Sequence, residues 1–250
     1  MQRYFINQNA DAHQRFSIID KGDIHHILNV MRYQIDDEII ITFLDQFVYK
    51  CKIRNIGTDE IEIELVEQID IDSELPQTIT ICSGLIKADK YEWLLQKATE
   101  LGASEFLAVG MKRSVVKLND SKVTKKLERW QKIIKEAAEQ SYRLAIPSID
   151  YKASLKEVVQ QSDLYDYILI AYEDAAKQGE VSNLKKTIKQ FQPNDRVLVI
   201  FGPEGGLAEE ELALFNESAY QVGLGPRILR AETAPLYVLS TISYEVELLD

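Results

Sequence analysis

The sequence predicts an α/β domain on a mainly parallel sheet, preceded by a small β-rich domain. Three observations carry this. Residues 1 to about 72 hold several short runs of Ile, Val, Phe and Tyr and one short helical pattern. After Ile71–Pro76 the rhythm changes to strand and helix in alternation, the mark of βαβ units. Two glycine–proline turns late in the chain each follow a strand pattern, where an open α/β sheet presents its ligands.

In the first part, Tyr4–Ile6, Glu38–Phe43, Phe47–Asn55 and Glu60–Val66 read as strands. Ile61-Glu62-Ile63-Glu64-Leu65 alternates as a half-buried strand should, and Gly57-Thr58-Asp59 reads as a hairpin turn. Asp23 starts a helical pattern with Ile24, Ile27, Leu28 and Met31. Several short strands with one helix suggest a small β-barrel.

The division falls at 72/73, inside a linker-like stretch. Beyond it, Thr78–Cys82 is a strand, and Asp89–Leu101 is a helix with Trp93, Leu94, Ala98 and Leu101 on its apolar side, ended by Gly102. Phe106–Val109 is a strand. Thr124–Ser141 is a long helix whose Leu127, Trp130, Ile133, Ile134, Ala137 and Ala138 share a face; there Trp130 reads as core. A short helix at Leu155–Val159, a strand at Tyr167–Ala171, a helix at Asn183–Gln190, a strand at Val197–Phe201, a helix at Glu209–Asn216 and a strand at Tyr220–Leu224 follow. Pro235 suits the first turn of the last helix.

The chain has 250 residues, 46% hydrophobic and 28% charged, enough for one large or two smaller cores. No apolar run approaches the roughly 20 residues of a membrane span, and the N-terminus lacks a secretory pattern, so a cytoplasmic protein is expected. Cys51 and Cys82 read as buried free thiols, and no Cys/His cluster has metal-ligand spacing. The net charge of −11 argues against polyanion binding. Residues 110–146 oppose it, with ten basic residues against four acidic ones. That stretch is either a phosphate-binding face or a solvated helix surface.

The turns Phe201-Gly202-Pro203-Glu204-Gly205-Gly206-Leu207 and Leu224-Gly225-Pro226-Arg227-Ile228-Leu229-Arg230-Ala231-Glu232-Thr233-Ala234 carry the chemistry. They are not a P-loop, because no Gly-Lys-Ser/Thr follows, and their spacing is not G-x-G-x-x-G. Each alone reads equally as a tight connection. Together, at two late strand ends, they can hold one small molecule against backbone amides and carbonyls. All three histidines, His13, His25 and His26, lie in the first part, which argues against a Ser-His-Asp or Cys-His hydrolase. His25 and His26 read either as a structural pair or as an RNA contact. Arg113 and Arg143 are candidates for phosphate, and Lys87 could face the same crevice, each against the reading of a solvated side chain.

Six ordered blocks now bear on the family: Arg3-Tyr4-Phe5, His26–Arg32, Gln96–Gly102, Glu136–Ser141, Phe201–Gly206 and Leu224–Thr233. Together they resemble the RsmE-type methyltransferases, which methylate N3 of a uridine in bacterial small-subunit (16S) ribosomal RNA. The resemblance runs over nearly the whole chain. It implies a PUA-like β-barrel over 1–72 and a SPOUT-type α/β domain with a C-terminal trefoil knot over 73–250. It implies S-adenosylmethionine as cofactor, a homodimer, and ribosomal RNA, in the assembled or assembling 30S subunit, as partner. Carried onto this chain, the cofactor residues would be Ala171, Gly202, Pro203, Glu204, Gly205, Gly206, Leu224, Gly225, Pro226, Ile228 and Leu229. Arg230 and Glu232 would form the catalytic edge. The RNA-facing candidates are Arg3, His26, Arg32, Arg113 and Arg143. Ser141 and Ala234-Pro235 depart from some relatives, outside the glycine turns. Two other readings stay open: a SPOUT enzyme acting on a ribose 2′-hydroxyl or another base, and a non-catalytic RNA-binding protein.

Overall fold

The computed structural model describes residues 1–10, 15–172, 182–215 and 219–248. His13 and Asn216, named above, lie outside them. The chain forms two compact units. The first is Met1–Glu74 together with Ala138–Ala145, and the second is Leu75–Ala137 with Ile146–Asp250.

The first unit is β-rich, as the sequence predicts. Its strands are β1 (Arg3–Ile6), β2 (Arg15–Ile18), β3 (Glu38–Phe43), β4 (Val48–Ile56) and β5 (Ile61–Ile69), in the order β1-β3-β4-β5-β2. β1 runs parallel to β3 and the other pairs are antiparallel. Alternation in β5 sends Ile61 and Ile63 into a core with Tyr4, Phe43 and Ile53. Two register shifts in the β4–β5 pair bend the sheet. β2 went unread because only Phe16 and Ile18 mark its four residues. Helix α1 (Lys21–His25) starts two residues before Asp23. Asp20 caps it, its Oδ1 accepting from the Asp23 backbone N–H at 2.9 Å. A π-helical turn, His26–Val30, continues it.

The segment 138–145 completes this unit through one buried charge cluster. Tyr142 takes the left-handed conformation, φ 62°, and stops the preceding helix. Arg3 Nη1 donates to the carbonyls of Tyr142 and Arg143, at 2.7 and 3.0 Å. Arg143 Nε donates to both oxygens of Glu74 at 2.9 Å.

The second unit carries a six-stranded parallel sheet: β6 (Thr78–Gly84), β7 (Glu105–Val109), β8 (Ser148–Lys152), β9 (Tyr167–Ala171), β10 (Arg196–Phe201) and β11 (Tyr220–Val222). Their order is β11-β9-β10-β6-β7-β8. β10 explains the apolar run in the sequence. Val197, Val199 and Phe201 enter the core on one face, Leu198 and Ile200 the core on the other. The first core is covered by α2 (Ala88–Glu100), α3 (Asp120–Gln140), α5 (Asn183–Ile188) and α7 (Ala234–Glu247). The second is covered by α4 (Leu155–Val159) and α6 (Glu209–Leu212). Strand β8 was missed because its half-exposed SIDYK lies at the sheet edge without an apolar run. The apolar face of α2 is Tyr91, Leu94, Leu95 and Ala98, spaced i, i+3, i+4, i+7. Trp93 falls outside that phase and is exposed, contrary to expectation. Trp130 is core, its ring centroid 4.7 Å from that of Tyr91. Cys51 and Cys82 are buried free thiols whose pKa burial pushes up.

Candidate functional site

Sheet order decides where the two glycine turns meet. β9 lies between β10 and β11, so Ala171 pairs with Phe201 on one side and Val222 on the other. The loops leaving β10 and β11 therefore flank the carboxyl end of β9.

The first loop is shaped by close approach. Gly206 N–H donates to the Pro203 carbonyl at 2.8 Å, and Gly206 sits at φ 72°. A Cβ on Gly202 would lie 2.8 Å from the Gly206 carbonyl carbon. A Cβ on Gly205 would lie 3.0 Å from Arg113 Cβ and 3.1 Å from the Arg113 carbonyl oxygen. Behind the loop, a Cβ on Gly84 would meet Pro203 Cδ at 2.6 Å. The second loop turns at Gly225, φ 89°, with open space where a Cβ would be.

Between the loops lies a cavity of about 530 Å³. Of the residues expected at a cofactor, Ala171, Gly202, Pro203, Gly205, Gly206, Leu224, Gly225, Pro226, Ile228 and Leu229 line it. Glu204 does not; it is exposed at the turn. Arg227, within the expected stretch Leu224–Leu229, lines it too, while sequence reasoning did not assign Tyr172, Phe201, Leu207, Ala231 and Ala234 to this wall. Tyr172 and Phe201 are neighbours of the strand-end signals, and Ala231 and Ala234 are small residues at helical spacing.

Arg230 and Glu232 are not in the wall but bracket Ala231, which is. Arg230 is exposed and Glu232 is buried. Glu232 Oε1 pairs with Lys90 Nζ at 2.8 Å, and its Oε2 is buried without a hydrogen bond. Burial pushes the Glu232 pKa up. The hydrogen bonds from Lys90 and from its own backbone, with the charges of Lys90 and Arg230, outweigh this and hold it below the ordinary value.

The RNA-facing candidates separate. Arg3 and Arg143 are 1% and 2% exposed, so the expectation that they face RNA is corrected: Arg3 Nη1 is held by the two carbonyls described above while its Nε and Nη2 are buried without a hydrogen bond, and Arg143 is held by Glu74. His26 is half-buried, its Nδ1 2.9 Å from the Tyr4 hydroxyl. Arg32 is exposed, at φ 57°. Arg113 lines the cavity. Lys87 is exposed just before α2. Much of the basic stretch is already paired: Lys112 with Glu210, Lys126 and Arg129 with Glu92, Lys132 with Glu136. Among the described residues no group of His, Cys, Asp and Glu is placed to hold a metal.

Known proteins are similar to this chain in sequence and fold. The model of the RNA methyltransferase domain matches residues 73–243, and that of the RNA methyltransferase PUA domain matches 19–66. The chain is 46% identical to ribosomal RNA small subunit methyltransferase E of Bacillus subtilis, over 100% of this chain and 98% of that protein. A crystal structure described only as a hypothetical protein superposes with a TM-score of 0.91 at 43% identity, covering 100% of both chains. Ribosomal RNA small subunit methyltransferase E of Neisseria gonorrhoeae, solved with S-adenosyl methionine bound, gives 0.82 at 26% identity over 98% of each chain.

Proposed function

We propose, because the chain belongs to the family of RNA methyltransferases that includes ribosomal RNA small subunit methyltransferase E, that it transfers a methyl group from S-adenosylmethionine to N3 of a uridine in 16S ribosomal RNA. One observation carries this reading: the glycine turns that follow β10 and β11, the two parallel neighbours of β9, flank one cavity of about 530 Å³. That size suits a cofactor-sized ligand. The glycine-walled Gly202–Gly206 turn and the Leu224–Leu229 loop offer backbone groups at close range, so the residues fit the donor. They would hold it together with Ala171.

Bound there, S-adenosylmethionine supplies a methyl carbon made electrophilic by its sulfonium, and the chain needs no nucleophile of its own. The target base has to be unstacked to enter. Arg230, exposed beside the wall, stabilises the negative charge that grows on the base as N3 gives up its proton to solvent water. Glu232 is a carboxylate held by Lys90 and lowered in pKa. Such a group is a poor acceptor for an imide proton, so we assign it to orienting the catalytic edge rather than to proton abstraction. Fixing the base edge in line contributes several kcal/mol, on the order of an orientation effect.

The first unit, matched by a PUA-domain model, meets the RNA through Arg32 and His26 in this reading. The 30S subunit as substrate, a homodimer and a cytoplasmic location are parts of the same proposal. So is the C-terminal trefoil knot: β11 lies outside β9, so the chain leaving β10 passes β9 before entering β11. No helix among the described residues is long and apolar enough to cross a membrane.

The test is mass spectrometry of modified uridines in 16S ribosomal RNA from cells with and without this protein, with calorimetric titration of S-adenosylmethionine alongside. Loss of N3-methyluridine on deletion and its return on complementation are expected. An unchanged modification pattern would overturn the activity, and a donor that fails to bind would favour a non-catalytic RNA-binding protein.

A further inference from the structure

We propose that Arg113 is the receptor for the α-carboxylate of the methyl donor, and that Glu211 is the positioning residue that holds it there; this rests on the cofactor reading of the cavity.

The charge of the wall is the starting point. Arg113 and Arg227 line the cavity, and among the described residues no Asp or Glu does. S-adenosylmethionine carries a sulfonium and an ammonium, and its one anionic group is the carboxylate. A cation-lined wall repels the first two unless it engages the third. A guanidinium fork matches a carboxylate in a bidentate pair.

Of the two arginines, Arg113 is built into place. Its Nη1 donates to the Gly205 carbonyl at 3.2 Å, which is one of five N–H donors. The Gly205 position lets the Arg113 backbone lie against the turn, since a Cβ there would come within 3.1 Å of the Arg113 carbonyl oxygen. One residue earlier, the Lys112 N–H donates to Glu211 Oε1 at 2.9 Å. Glu211 Oε2 accepts from the Ala208 N–H at 3.0 Å, and Glu211 is 5% exposed. One buried carboxylate therefore ties the segment carrying Arg113 to the segment that follows the glycine turn. A fixed cation gives up less freedom on binding than one on a free loop. From sequence alone Arg113 is a candidate for an RNA phosphate; its place in the wall favours the donor.

Calorimetric titrations with S-adenosylmethionine and with its decarboxylated analogue separate these roles. The unmodified protein, Arg113→Ala, Arg113→Lys and Glu211→Gln are compared, with RNA affinity measured alongside. Arg113→Ala is expected to weaken S-adenosylmethionine binding about tenfold to a hundredfold and to leave the decarboxylated analogue within about twofold. Arg113→Lys restores part of the loss. Glu211→Gln, which keeps the side-chain volume, lowers the ratio of the two affinities in the same direction. Equal weakening of both donors by Arg113→Ala overturns the inference, as does unchanged donor binding with a fall in RNA affinity, which gives the cation to a phosphate. If the unmodified protein binds S-adenosylmethionine but does not prefer it to the decarboxylated form, this inference alone fails. If it binds neither, the cavity reading fails and takes the inference with it.

Discussion

Lys90 Nζ lies 2.8 Å from Glu232 Oε1, joining helix α2 to the residue that follows the cavity-lining Ala231. The pair is largely withdrawn from water, with side-chain exposures of 29% and 12%. Lys90→Met removes the charge-assisted hydrogen bond and leaves the carboxylate buried without its cation. A loss of about 2 kcal/mol of stability is expected, read by thermal unfolding. Methyl transfer should fall as well, because the catalytic edge loses its anchor.

The same pair has a pH signature. The folded-state pKa of Glu232 lies below its ordinary 4.5. Its contribution to stability is therefore full above that value and is lost as pH falls through the lower folded value. Lys90→Met should flatten this acid limb. The difference in stability between the two proteins should shrink below about pH 4.5 and stay constant from pH 6 to 8. A gap that persists unchanged into acid would mean that Glu232 carries no such linkage.

The two loops should respond differently to alanine. Gly202→Ala puts a Cβ 2.8 Å from backbone, which cannot move aside as a side chain can, so the turn itself shifts. Donor affinity should drop at least tenfold in a titration. Gly225→Ala meets nothing within 4 Å but sits at φ 89°. Its effect should appear chiefly as a stability loss of about 1–2 kcal/mol.

These turns were legible in the sequence because glycine and proline after an apolar run state a backbone requirement locally. So were the strands of the second unit, where β10 reads as an unbroken apolar run because both its faces are covered. The limits of reading are equally physical. Edge strands β2 and β8 bury too little to leave a pattern. Arg3 and Arg143 fall among the RNA-facing candidates because a basic residue carries no mark of its partner: Glu74 is 69 residues away from Arg143, and the carbonyls that Arg3 caps are 139 and 140 away. Arg113 entered the cavity wall for the same reason, since Gly205 lies 92 residues further on. The knot and the methyl donor entered through family resemblance, not through periodicity or spacing.

Arg143 and Arg32 give opposite predictions. Arg143→Ala removes a nearly buried guanidinium and leaves Glu74 with only backbone N–H donors, from Leu144 and Ala145, which should lower stability by about 3 kcal/mol. Arg32 is exposed, and Arg32→Ala should leave the melting temperature within about 2 °C. RNA affinity should fall for Arg32→Ala. A folded Arg143→Ala protein, measured below its melting temperature, should keep its RNA affinity. Thermal unfolding and an RNA titration on both variants decide the matter.

A chain of net charge −11 can bind RNA only through a local cationic face, so its affinity should fall steeply with salt. The pairing of the basic stretch says which lysines count. Lys112 and Arg129 are engaged with Glu210 and Glu92, and neutralising them removes a charge already partly cancelled. Lys122 and Lys125 are exposed on α3, and among the described residues no ion pair holds either. Each phosphate contact contributes roughly 0.7–0.9 to the slope of log affinity against log salt. Replacing both Lys122 and Lys125 by Gln should therefore reduce that slope by about 1.5 if both meet phosphates. The Lys112→Gln, Arg129→Gln protein should change it by less than half as much. Filter binding between about 50 and 200 mM salt measures both. An equal reduction in the two proteins would mean that the internal ion pairs open on binding, and affinity flat across the range would remove the electrostatic face altogether.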